Sequence, residues 1–203
     1  MRDVNNIMEV SQLHPHYMGF IFYAGSPRYV GDDFKIPENF PAATKRVGVF
    51  VNEANETIIK KIRDFKLDFV QLHGNESVQQ CRELRNHPVG IIKVFSVDDD
   101  MDFKVTKHYR EVVDFFLFDT KGKYYGGNAQ TFNWSVLTRY DQKIPFFLSG
   151  GITPDNMGGI QNLAELNLQA LDVNSGVEIQ PALKDVKKIM AIKAILNSKI
   201  LNE

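Results

Sequence analysis

The strand-like runs of this chain are apolar from end to end, not alternately apolar and polar, and helical segments separate them. Tyr17 to Tyr23 reads YMGFIFY, Arg46 to Val51 reads RVGVFV, and Asp68 to Leu72, Ile91 to Phe95 and Phe115 to Phe118 follow the same habit. Two more runs begin at Phe146 and Leu171. A strand that is apolar on both faces must be covered on both faces, which is the situation of parallel strands under helices. The spacing of roughly two dozen residues per repeat is that of a βαβ unit. An open doubly wound sheet or a (β/α)₈ barrel satisfies this pattern. No G-x-G-x-x-G follows an early strand and no Walker A pattern occurs, so the dinucleotide and nucleoside-triphosphate versions of the open sheet lack support. No linker or internal repeat divides the chain, and residues 1–203 read as a single barrel domain.

The helices follow from spacing and caps. Asp3 caps a helix carrying Val4, Ile7, Met8 and Leu13, and His14-Pro15-His16 ends it. Asn55 opens a helix with Ile58, Ile59, Ile62 and Phe65 on one face, and Val78, Cys81 and Leu84 line the next. Phe103 to Val113, the segment around Trp134, Leu137 and Tyr140, and Asp185 to Leu196 complete the set, with a short helix expected within Asp32 to Pro41. In a barrel of βα units each helix follows a strand, yet the helix at Asp3 has none before it. The expected fold is therefore a (β/α)₈ barrel missing its first β-strand, with a vacant slot between Met18–Phe22 and Leu171–Asn174.

The two last runs both end in small residues: Ser149-Gly150-Gly151 and Asn174-Ser175-Gly176. After the first, Thr153 can cap a helix and Pro154 suits its first position. Glycines let backbone N–H groups approach an anion, and a helix N-terminus behind them adds positive potential. The loops after the last two strands of a barrel are its usual phosphate site, so Gly150, Gly151, Ser175 and Gly176 form a candidate phosphate cup. The alternative is a pair of tight βα turns.

Three further residues stand at strand ends or in the loops beyond. Asp119 closes Phe115 to Phe118; apolar surroundings there would raise its pKa, as a general acid requires, and the plainer role is a loop cap. A glycine-rich loop, Lys121 to Ala129, follows it and could close over a ligand. Arg28, in Ser26-Pro27-Arg28-Tyr29, offers a guanidinium fork for a carboxylate, or is a surface arginine. His73 ends Phe69 to Leu72 as an acid, a base or a donor, or as a structural histidine. Cys81 falls on a buried helix face and reads as a small hydrophobe. No His/Asp/Glu cluster has metal-ligand spacing. The formal net charge of -1 gives no footprint for nucleic acid or anionic membrane. No apolar run can span a bilayer and no signal-peptide pattern is present, so a cytoplasmic location is expected.

Taken in order, these motifs resemble the phosphoribosylanthranilate isomerase family. The resemblance rests on Gly19–Phe22, Ser26–Val30, Arg46–Val51, Val70-Gln71-Leu72-His73-Gly74 and Phe118-Asp119. Gly126-Gly127, Thr131–Trp134, Ser149–Gly151 and Asp172–Glu178 extend it over nearly the whole chain. It implies a (β/α)₈ barrel that performs a cofactor-free Amadori rearrangement of N-(5-phosphoribosyl)anthranilate in tryptophan biosynthesis. It implies Asp119 as general acid on the ribose ring oxygen, Arg28 on the anthranilate carboxylate, His73 within the site, and the phosphate on Gly150, Gly151, Ser175 and Gly176. The family's general base is a cysteine on a strand ahead of the residues matching Met1–Asp3; Cys81 matches a helix position instead. Ala129 and Ala182 stand where glycines are common in the family.

Two readings of function follow. The first is the isomerase, impaired by loss of the first strand and its cysteine. The second is a barrel remnant that binds phosphosugars without turning them over. Indole-glycerol-phosphate synthase and ribulose-phosphate epimerase need a lysine/glutamate set or metal-binding histidines at strand ends, which are not found. The expected ligand is a small phosphosugar, with no nucleic acid and no membrane, and an open barrel edge would favour self-association.

Overall fold

A computed structural model describes residues 1–121 and 132–200. The glycine-rich loop expected between Lys121 and Ala129, with Gly126, Gly127 and Thr131, lies outside the described residues from position 122 on. Seven parallel strands form one sheet in chain order. They are β1 (Tyr17–Ile21), β2 (Lys45–Phe50), β3 (Phe69–Leu72), β4 (Gly90–Val97), β5 (Phe115–Thr120), β6 (Phe146–Leu148) and β7 (Leu168–Leu171). A two-stranded antiparallel hairpin, β8 (Glu178–Gln180) and β9 (Leu183–Lys184), follows. The α-helices are α1 (Val4–Ser11), α2 (Asn55–Phe65), α3 (Val78–Leu84) and α4 (Val186–Ile200).

Alternation along the strands divides the apolar residues between two cores. Val47, Ile92, Val94, Leu117 and Phe147 form a cluster inside the curl of the sheet, with Tyr17, Phe69, Phe115 and Ala170 packed on it. Their neighbours Val70, Leu72, Ile91, Phe116, Phe118, Phe146 and Leu148 belong to the larger cluster under the helices. This is why the runs are apolar throughout: both faces are buried. The Tyr17 and Phe147 rings, from β1 and β6, lie 4.9 Å apart between centroids, so the sheet curls far round on itself.

Several expectations are corrected. The helical segments Phe103–Tyr109, Trp134–Arg139 and Pro154–Leu163 are 3₁₀ helices. Two glycines, Gly158 and Gly159, stand in the last of these and weaken α-helix formation. The Asp32 to Pro41 segment has turns and no helix. The last strand ends at Leu171, not Asn174, so Asp172 to Asn174 already belong to the loop. Asp3 does cap α1, accepting from Asn6 N at 2.8 Å.

The sheet starts with β1, and the seven strands do not by themselves establish that an eighth has been lost. What the fold does show is that β1 and β7 end the strand order and are not hydrogen-bonded to each other. Side chains and a terminus span the gap instead. The Met1 amino group donates to Gly19 O on β1 at 2.9 Å. Buried Asn6 of α1 donates to Lys184 O at 2.9 Å and accepts from Lys184 N at 2.7 Å. Ala182, in the β8–β9 turn, has φ +69°, a left-handed conformation that explains why glycine suits the position.

Candidate active site

The C-terminal ends of the strands open into a cavity of about 670 Å³. By the twofold alternation, Gln71, Asp119 and Ser149 are the inward residues nearest the mouth, and all three are buried. Asp119 stands at the end of β5. Its Oδ1 accepts from Thr120 N at 2.9 Å, and its Oδ2 lies 3.2 Å from His73 Nε2. The surroundings are thus not simply apolar, as the sequence suggested: an imidazole is held against the carboxyl. His73 in turn has its Nδ1 3.3 Å from Gln71 Nε2.

The turn that carries His73 is fixed from below. Gly74 N donates to both oxygens of Glu76, at 3.0 and 2.9 Å, and Asn52 N adds a third bond at 2.9 Å. Lys93, on the outer face of β4, donates to Glu76 Oε2 at 3.0 Å, Gly74 O at 2.7 Å and Leu72 O at 3.1 Å. Both side chains of this pair are almost wholly buried, and their hydrogen bonds are spent on the backbone of the turn.

Arg28 lines the same cavity from the loop after β1. Glu178 holds it: Nε lies 3.0 Å from each carboxylate oxygen and Nη2 lies 2.7 Å from Oε2. Lys184 Nζ donates to the same carboxylate at 2.9 Å, as does Ala182 N at 3.0 Å. Burial alone would push Glu178 up, but Arg28, Lys184 and the Ala182 N–H outweigh it and bring the carboxyl down to about 2. Two of the guanidinium's nitrogens, Nε and Nη2, are engaged on Glu178.

Gly150, Gly151 and Ser175 also line the cavity. Gly150 and Gly151 have φ +95° and +63°, so glycine is required by conformation at the first and favoured at the second. A Cβ on Gly150 would lie 2.7 Å from Thr120 N and closer still to the Thr120 hydroxyl. Pro154 and Asn156 start the following 3₁₀ helix, with Asn156 Oδ1 accepting from Thr153 N at 2.9 Å and its Nδ2 donating to Gly151 O at 2.8 Å. Gly176 is not part of the cavity wall. It packs the Ser175–Val177 turn against the backbone of Ile152, where a Cβ would lie 2.9 Å from the carbonyl carbon.

Asp119, His73, Arg28, Gly150, Gly151 and Ser175 therefore meet around one cavity, and Gly176 supports it from behind. Cys81 does not join them; it is buried in α3, and burial pushes its thiol up to about 11. Asp172, Glu178 and Gln71 were not singled out from sequence. Asp172 carried a readable signal, since it follows an apolar run as Asp119 does. Burial, and then the negative charge of Asp119, push its carboxyl above the ordinary range, against Lys184, His73 and a hydrogen bond with Ser149. Among the described residues no cluster of His, Cys, Asp and Glu could hold a metal, and no helix is long and apolar enough to cross a membrane.

Residues 1–194 match the family model for N-(5'-phosphoribosyl)anthranilate isomerase. The N-(5'-phosphoribosyl)anthranilate isomerase of Parabacteroides distasonis is 42% identical over 93% of this chain and 87% of its own length. That of Phocaeicola vulgatus is 43% identical over 91% and 89%. Among solved structures, the phosphoribosyl anthranilate isomerase of Thermotoga maritima superposes with a TM-score of 0.83 at 31% identity, covering 98% of this chain and 96% of that one. A phosphoribosyl anthranilate isomerase in complex with reduced 1-(o-carboxyphenylamino)-1-deoxyribulose 5-phosphate superposes with a TM-score of 0.79 at 30% identity, covering 98% and 95%.

Proposed function

The chain belongs to the N-(5'-phosphoribosyl)anthranilate isomerase family, and from that premise we propose how its cavity performs the Amadori rearrangement of N-(5-phosphoribosyl)anthranilate in tryptophan biosynthesis. The phosphate rests on the N–H groups of Gly150, Gly151 and Ser175, with Gly176 holding that last turn from behind. The Nη1 edge of Arg28 takes the anthranilate carboxylate. Asp119, as the general acid, gives a proton to the ribose ring oxygen; the C1–O bond breaks and the anthranilate nitrogen lone pair forms the C1=N bond. Loss of the C2 proton to a base then gives the enol-amine, which tautomerises to the ketose.

The resemblance implies a cysteine on a strand ahead of α1, and Cys81 lies elsewhere. Asp172 is the second carboxylate at the cavity, and burial and the charge of Asp119 raise its proton affinity, which strengthens it as a proton acceptor. The observation that carries the reading is the meeting of an inward strand-end carboxyl, an imidazole against it, an arginine fork and two left-handed glycines around one cavity. Chromatographic detection of the ketose product from purified chain tests it.

A second reading, binding without turnover, is favoured by one feature. The cavity continues past the site into the gap between β1 and β7, reaching Leu13, Met18, Leu168 and Ile192. An eighth strand in that gap would close it, and two unpaired edges also favour self-association. Tight binding of a product analogue with no product formed would select this reading, and a concentration-dependent sedimentation coefficient would reveal the association.

A further inference from the structure

We infer that Gln71 is a positioning residue: its side-chain amide fixes the proton of His73 on Nε2, where it points at Asp119. The inference rests on the proposed role of Asp119 but begins from geometry independent of it. Gln71 sits in β3 between Val49 of β2 and Ile92 of β4, and its own neighbour in the inward layer is Phe69. It is 7% exposed. A buried amide in such company costs stability unless it is hydrogen-bonded, so its partner is informative. That partner is His73 Nδ1, at 3.3 Å from the amide nitrogen.

With the amide nitrogen facing the ring as a donor, Nδ1 accepts and carries no proton. The ring's proton is then on Nε2, and Nε2 is the atom 3.2 Å from Asp119 Oδ2. Asp119 Oδ1 is already taken by Thr120 N, so both carboxyl oxygens are held in place. The bond on one ring nitrogen sets what the other can do. Without the Gln71 amide, the proton is free to move to Nδ1. Nε2 then becomes a bare lone pair aimed at Asp119, which can only accept from it. The carboxyl that should hand a proton to the sugar would hand it to the imidazole instead. Gln71 thus keeps His73 a donor, and its Nε2–H steadies the Asp119 carboxylate that forms as the proton passes to the sugar.

The test is long-range ¹H–¹⁵N correlation spectroscopy of the imidazole rings, which separates protonated from bare ring nitrogens without requiring turnover. His73 is assigned by the signals lost in His73→Asn. In the parent, His73 should show Nε2–H and a bare Nδ1. Gln71→Met keeps length and burial and removes the donor; it should shift the ring towards Nδ1–H. Gln71→Glu reverses the polarity at Nδ1 and should put a proton there outright. In an active preparation, Gln71→Met should lower kcat by roughly 10- to 100-fold, part of the general-acid contribution, with KM within about twofold. A parent ring protonated on Nδ1, or a ring state the same in parent and both variants, would overturn the inference. If Gln71→Met does not fold, Gln71→Glu alone decides by the same signal. If the chain makes no product at all, the proposed function fails while the ring signals still test Gln71.

Discussion

Gly176 offers a test in which the magnitude follows from the backbone. It does not touch the cavity, so a substitution there acts only through the position of the Ser175–Val177 turn. A Cβ at this site would lie 2.9 Å from Ile152 C and 3.0 Å from Thr153 Cγ2, and nearer still to the Ile152 carbonyl oxygen. Carbon atoms in contact sit at about 3.5–4.0 Å, so the two backbones must part by on the order of 1 Å. Neither can swing aside as a flexible side chain would. Ile152 is buried and follows Gly151, while Val177 N is tied to Asn174 O at 3.2 Å and Val177 O accepts from Asp185 N at 2.7 Å. Overpacking of this kind costs about 1–3 kcal/mol. For a chain of this size each kcal/mol moves the melting midpoint by roughly 2–4 °C, so Gly176→Ala should melt some ~2–12 °C lower.

The same displacement separates the two halves of the proposed phosphate cup. Losing one charge-assisted hydrogen bond, worth about 1.5–3 kcal/mol, weakens binding of inorganic phosphate or a phosphosugar roughly 10- to 100-fold. Gly158→Ala is the matched control. It lies in the 3₁₀ helix after Gly151, and its Cβ would meet nothing within 4 Å. It should leave binding unchanged and raise stability by at most about 1 kcal/mol. Thermal unfolding and calorimetric titration measure both. If Gly176→Ala melts and binds like the parent, the packing of the two loops is not what positions the cup.

Asp119→Asn keeps the shape of the proposed acid without a transferable proton, and should lower turnover by roughly 10²–10⁴-fold; near-parental rates would exclude it as the acid. Glu178, brought down to about 2 from 4.5, contributes stability that is full above about pH 4.5 and is lost as pH falls towards 2. Glu178→Gln should therefore lose most relative to the parent at neutral pH, with the difference shrinking below pH 4.5 in paired melts. Lys93→Met leaves Glu76 buried without its cation and should cost about 3–5 kcal/mol, read by urea unfolding. Ala182→Gly relieves the left-handed backbone at φ +69° and should raise stability by about 1 kcal/mol; a lower melting midpoint would contradict the strain.

The strands were legible because burial on both faces leaves a mark that no loop or surface helix shares. Phe115 to Phe118 is the plainest case, with Leu117 inside and Phe116 and Phe118 outside. The strand-end residues Asp119 and His73 were legible for the same reason: each is a polar residue at the end of an apolar run. The 3₁₀ segments Phe103–Tyr109 and Trp134–Arg139 were not, because a 3.6-residue pattern and a 3.0-residue one diverge little over six or seven residues. Glu178 was hidden by distance. It sits 150 residues from Arg28, and nothing local marks it as that arginine's partner. Gln71 was hidden by the opposite cause, standing two residues from His73 inside a strand where the inward amide looks like a lapse in an apolar run.

The Arg28–Glu178 pair also bears on how a sheet with unjoined ends can hold a site together. Arg28 follows β1 and Glu178 opens the hairpin after β7, so their bonds cross the gap that no backbone pairing closes. Lys184 extends the bridge from β9 to Glu178, and Asn6 ties Lys184 to α1. Arg28 and Ser175, proposed for opposite ends of one substrate, are thus spaced by this strap and not by strand register. Cutting it should harm binding before it harms the fold. Glu178→Gln removes the charge yet can still hydrogen-bond, so it should loosen Arg28 while α1 and the hairpin stay joined through Asn6. The expected result is weaker binding of the product analogue with a far smaller change in inorganic phosphate affinity, measured by calorimetry on the same preparation. Equal losses for both ligands would mean that the strap sets the phosphate cup as well, and that the two ends of the site are not held independently.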